Sequence, residues 1–84
     1  MNSKSDIVHF ATLNVQGLRD SQKRSRLLQW INQQRINILM IQETHFTTDI
    51  VSKVNLEFEK FNLYHSLGSN HSRGCSVIIS KYFF

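Results

Sequence analysis

"NILMIQETHF", residues 37–46, joins the most apolar run of the chain directly to polar chemistry. Ile38, Leu39, Met40 and Ile41 follow one another without a break, and Gln42, Glu43 and Thr44 come at once behind them. A short apolar run bounded in this way reads as a buried strand, here over 37–42. It leaves a carboxylate, Glu43, at the strand's mouth.

Working outward from that strand, the preceding segment reads as a helix over about 21–34. Asp20 or Ser21 can cap it, and Leu27, Leu28, Trp30 and Ile31 form its apolar stripe. Lys23, Arg24 and Arg26 crowd its first turns. Before the helix, Ile7 to Val15 alternates as a strand does, with apolar residues on both faces, which suits a strand covered on two sides. Asn14 closes it, just ahead of a turn at Gly17. The unit is therefore strand, helix, strand, with a polar residue at the end of each strand.

Downstream, Thr48 can cap a short helix holding Ile50, Val51 and Val54. Alternation returns over 61–67, with Phe61, Leu63, His65 and Leu67 on one face. "GSNHSRG", residues 68–74, reads as a hairpin connection into a last strand near 75–81. The chain then stops at "SKYFF", apolar residues directly after a strand, which leads us to expect part of a domain rather than a whole one.

Composition narrows the functional classes. Eighty-four residues suit one small unit, and the single cysteine, Cys75, excludes an internal disulfide and reads as a small core residue. No Cys/His cluster suggests zinc. The net charge of +4 and pI near 9.7 suit a polyanionic partner. No apolar run approaches the ~20 residues of a membrane span, and no signal sequence is evident. The expectation is a soluble intracellular chain, neither secreted nor membrane-bound, with the nucleus as a candidate compartment.

If the strands ending in Asn14 and Glu43 are neighbours, their side chains can converge at one sheet edge. One carboxylate with a helper amide can hold a hard cation such as Mg²⁺, which needs only one or two carboxylates plus water and phosphate. The alternative for Glu43 is a solvated loop residue.

"LNVQGLR" (13–19), a basic helix with "LLQWI", and "ILMIQETHF" (38–46) together resemble the start of the endonuclease/exonuclease/phosphatase superfamily. Within it, they are most similar to the apurinic-endonuclease-like domain of the second open reading frame of LINE-type (non-LTR) retrotransposons. "YHSLGSNHSRGCSVIIS" resembles the hairpin that follows in that group, so the likeness spans nearly all of residues 7–83. The implied fold is the N-terminal portion of a four-layer, DNase I-like α/β sandwich, residues 1–84 being an incomplete part of one domain.

The resemblance implies roles residue by residue. Glu43 matches the glutamate that binds catalytic Mg²⁺ (or Mn²⁺), and Asn14 matches the asparagine that organises metal and phosphate. Gln42 and Thr44 flank the ligand and orient it or pack. Arg19 and Lys23 are candidate contacts to DNA backbone phosphates, with a solvated helix start as the alternative.

The implied reaction is metal-assisted phosphodiester hydrolysis that nicks target DNA and primes reverse transcription. The later tyrosine, the Asp-x-Asn motif and the Ser-Asp-His motif have no counterpart here, and none of the four histidines is an evident replacement base. The isolated chain is therefore expected to fold poorly and to be inactive. Its implied partners are DNA, the remainder of the domain and a reverse transcriptase domain. A non-catalytic basic nucleic-acid-binding remnant, or a decayed retrotransposon reading frame, is the second reading. Phosphoinositide phosphatases, sphingomyelinases and deadenylases share the sandwich and are the third.

Overall fold

The computed structural model describes residues 7–68 and 73–82. Their elements run β1 (Phe10–Asn14), α1 (Ser21–Gln34), β2 (Ile38–Gln42), α2 (Thr48–Glu57), β3 (Phe61–Ser66) and β4 (Cys75–Ser80). The expected α/β class is what forms: a mixed four-stranded sheet in the order β1-β2-β4-β3. β1 and β2 are parallel neighbours joined through α1, since parallel strands need a long crossover. β4 runs antiparallel to both β2 and β3.

Local chemistry sets the helix limits. Asp20, in extended backbone, accepts the Gln22 amide at 2.9 Å and starts α1. Arg35 ends it in the left-handed conformation, its N–H returning to the Asn32 and Ile31 carbonyls. The N-cap position of α2 is Thr47 rather than the expected Thr48, and the helix continues past Val54 to Glu57. The Thr47 hydroxyl does not cap the backbone; it bonds to Asp49 and Arg19 instead.

Both helices lie on one face of the sheet. Leu27 and Ile31 of α1, with Val54 and Phe58 at the end of α2, bury against Leu39, Ile41, Phe61 and Ile78. Leu28 and Trp30 only flank this core. Arg24, also in the stripe, is 2% exposed. Its guanidinium grips Glu57 through Nε at 2.6 Å and Nη2 at 3.0 Å, while Nη1 donates to the Leu18 and Arg19 carbonyls. A buried cation persists only when its donors are met in this way. The contact ties α1 to α2 and to the loop ahead of α1.

The other face is open. Register places Phe10, Ile38, Ile79 and Asn62 in one row, and Thr12, Met40, Val77 and Tyr64 in the next. Phe10, Met40 and Tyr64 are all large and exposed. The third row, Asn14, Gln42, Cys75 and Ser66, is polar apart from the cysteine.

Three sequence expectations change accordingly. β1 is shorter than residues 7–15 and is not covered on both sides: it is an edge strand, mostly exposed. Cys75 is exposed rather than a core residue, because strand alternation turns it to the open face. The strands near 37–42, 61–67 and 75–81 each lose one residue at an end, giving the limits above. Residues 69–72 of the connection over 68–74, His71 among them, lie outside the described residues; the strands it joins pair antiparallel up to Ser66 and Cys75. Among the described residues, no helix is long and apolar enough to cross a membrane.

Candidate functional site

β1 and β2 end side by side, with Asn14 opposite Gln42. The pairing then continues through the two loops beyond them. Val15, Gly17 and Leu18 donate in turn to the carbonyls of Gln42, Glu43 and Thr44, at 3.0, 2.7 and 2.8 Å. From the other side, Thr44 and His45 donate to the Gly74 and Arg73 carbonyls at 3.2 and 2.8 Å.

Left-handed backbone makes this possible: φ is +50° at Gln16, +92° at Gly17, +56° at Glu43, +60° at His45 and +86° at Gly74. Such conformations in non-glycine residues cost on the order of 1–3 kcal/mol each and gather at functional sites. At Gly17 a Cβ would stand 3.0 Å from Nδ1 of His45, so the ring lies where a side chain would otherwise be.

The turn at Glu43 decides the site. In regular strand geometry, Glu43 would point to the face opposite Gln42. Its left-handed backbone instead brings the carboxylate to Asn14, whose Nδ2 donates to Oε2 at 2.8 Å. The Asn14 Oδ1 accepts the Gln16 amide at 3.1 Å, which fixes the orientation of the side-chain amide. The second carboxylate oxygen, Oε1, faces Nε2 of His45 at 4.0 Å, beyond hydrogen-bond length. The Glu43 side chain remains 46% exposed.

The structure thus brings Asn14 and Glu43 together. Lys23 lies close by, with its ammonium on the Val15 carbonyl at 2.5 Å, where it holds the loop after β1. Arg19 turns away toward the start of α2, to Thr47 and to Asp49 at 3.5 Å. The Thr47 hydroxyl and the Arg19 charge hold the Asp49 carboxyl below its usual range. Gln42 donates to Thr12 at 2.8 Å on the open face, and Thr44 is buried, its hydroxyl oxygen accepting from the Phe46 amide.

His65 sits beneath this region, against Ser76 at 2.6 Å, Asn55 at 3.0 Å and the edge of Phe46. Burial pushes its pKa down. Ser76 is 2% exposed, which makes this cluster internal support rather than reactive chemistry. The Gln-Glu-Thr-His run already places His45 near the site without identifying it as a base, and the structure sets its ring beside Oε1.

Among the described residues, no group of three or more His, Cys, Asp or Glu is placed to hold a metal ion. Among these residues the donor set is one half-exposed carboxylate, Glu43, with one oxygen bonded by Asn14. This fits a hard, largely hydrated cation completed by water and phosphate, and it does not fit a closed all-protein cage.

A family comparison gives this arrangement its context: residues 11–84 match the model of the Endonuclease/Exonuclease/phosphatase family. The chain belongs to that family. Members are hydrolases of nuclease or phosphatase type, typically dependent on a divalent metal. The family assignment agrees with the mixed sheet and its two helices, which suit a DNase I-like domain.

Proposed function

We propose that this edge is one half of the active site of a Mg²⁺-dependent DNA endonuclease of the retrotransposon type. The supporting observation is the 2.8 Å bond from Asn14 to Glu43 across two parallel strand ends. Glu43 would hold the divalent cation, Mg²⁺ or Mn²⁺, with the carboxylate oxygen that Asn14 does not bond. Asn14 fixes the other carboxylate oxygen, so the ligand meets the metal already oriented. When bound, the metal supplies charge stabilisation for phosphodiester hydrolysis. Lys23, and Arg19 with its remaining N–H groups, contact backbone phosphates.

In this reading the rest of the site comes from a further part of the domain, which packs on the open sheet face. A water-activating base belongs to that part, since neither an Asp-x-Asn nor a Ser-Asp-His motif occurs in the chain. The 84 residues alone do not nick DNA.

The test is Mn²⁺ binding, followed by electron paramagnetic resonance of the free ion, with plasmid nicking assayed in parallel. One saturable site should weaken strongly in Glu43→Ala. Affinity unaltered by that change would remove Glu43 as the ligand. Mg²⁺-dependent nicking by the chain, abolished in Glu43→Ala, would show that the site is complete.

A further inference from the structure

We infer that His45 is a positioning residue for Glu43: its Nε2–H closes onto Oε1 and fixes the carboxylate from the side opposite Asn14. This rests on the reading of Glu43 as the metal ligand.

Three observations carry it. Nε2 of His45 is buried and has no hydrogen-bond partner among the described residues. Leaving a buried donor unmet costs about 1–3 kcal/mol, so such an atom calls for an explanation. Oε1 of Glu43 stands 4.0 Å from Nε2. A modest side-chain rotation covers the difference between that separation and a hydrogen bond, and catalytic hydrogen bonds of this kind tighten on ligand binding.

The ring is held for the purpose. His45 has left-handed backbone, φ +60°, and its N–H is fixed to the Arg73 carbonyl at 2.8 Å. The opposite ring nitrogen lies 3.0 Å from the place a Gly17 side chain would occupy. The imidazole therefore fills the space left by the glycine of "LNVQGLR". The two motifs converge on one carboxylate: the first sends Asn14 to Oε2 and clears room at Gly17, and the second sends His45 toward Oε1.

With both oxygens hydrogen-bonded, the plane of the Glu43 carboxylate is fixed, and its remaining lone pairs meet a cation in set directions. Removing an outer partner of a metal ligand typically costs about 10–100-fold in metal affinity.

The experiment uses the full chain in two parts. In the metal-free protein at pH 8, ¹⁵N spectra of the imidazoles should show His45 as the Nε2–H tautomer, with a shift that moves in Glu43→Gln. An Nδ1–H tautomer indifferent to that change overturns the inference. With Mn²⁺, His45→Ala should bind about 10–100-fold more weakly. His45→Gln, whose amide nitrogen reaches as far as Nε2, should recover most of the loss, and His45→Asn should not.

Equal affinities for the Gln and Asn variants, at equal circular dichroism, overturn the inference even if the Ala variant misfolds. If Glu43→Ala leaves Mn²⁺ binding unchanged, the metal reading fails, and the metal-free spectra still decide whether His45 holds Glu43.

Discussion

Arg24 of α1 closes on Glu57 of α2 through two hydrogen bonds, with the cation buried and the carboxylate only partly so. Truncating the acid would strand the cation beside the two carbonyls it also serves. Glu57→Ala should therefore destabilise the chain by about 3 kcal/mol, the low end for breaking a buried pair. Urea unfolding followed by circular dichroism measures it. A loss under 0.5 kcal/mol, roughly the worth of an exposed pair, would mean that solvent already screens the contact.

Asn14→Asp would set a second carboxylate against Glu43 at 2.8 Å in place of an amide donor. The hydrogen bond is lost, and two like charges face each other instead. The metal-free chain should lose about 1 kcal/mol or more, and Mn²⁺ should restore stability more in this variant than in the parent. Thermal midpoints with and without Mn²⁺ provide the comparison, and an equal Mn²⁺ shift in both proteins would contradict it.

His65 titrates below its usual value of 6.5 because it is buried. The fold thus favours the neutral ring. Its contribution is complete above pH 6.5 and is lost as pH falls from there through the depressed folded value. Glu57 is held below 4.5, chiefly by its bonds to Arg24, and its contribution disappears at lower pH, as pH falls from 4.5. Thermal midpoints should therefore decline in two stages on acidification, with His65→Gln removing the upper stage alone.

Gly74→Ala is expected to cost about 1–3 kcal/mol, because φ is +86° and the new methyl would stand 2.9 Å from the Ser66 carbonyl oxygen. Since Thr44 donates to Gly74, the change should also loosen the Glu43 loop. Weaker Mn²⁺ binding alongside the lower thermal midpoint would show both effects. An unchanged midpoint would show that the backbone there relaxes freely.

Much of the architecture is legible in the amino-acid pattern alone. The stripe of Leu27 and Ile31 and the run Ile38–Ile41 each follow a period that burial enforces. The meeting of Asn14 and Glu43 is legible too, because adjacent parallel strands bring their C-terminal ends together. What the pattern could not supply is the backbone hand at Glu43, a non-glycine residue in a left-handed conformation, which only the surrounding pairing enforces. Arg24 reads only as one of three cations crowding the first turns of α1, and its partner lies 33 residues away. Cys75 and β1 read as interior because apolar composition does not reveal which sheet face is left uncovered.

The continuous pairing of the loops after β1 and β2 has a kinetic meaning. Gly17 and Leu18 donate across to Glu43 and Thr44, so neither loop can swing without breaking bonds that extend the sheet. Amide protons at these two positions should exchange with deuterium only when the sheet itself opens, although they lie in segments without regular secondary structure. Asn14 and Glu43 then move as one body, and a phosphate reaching this edge meets a geometry set by the lifetime of the sheet.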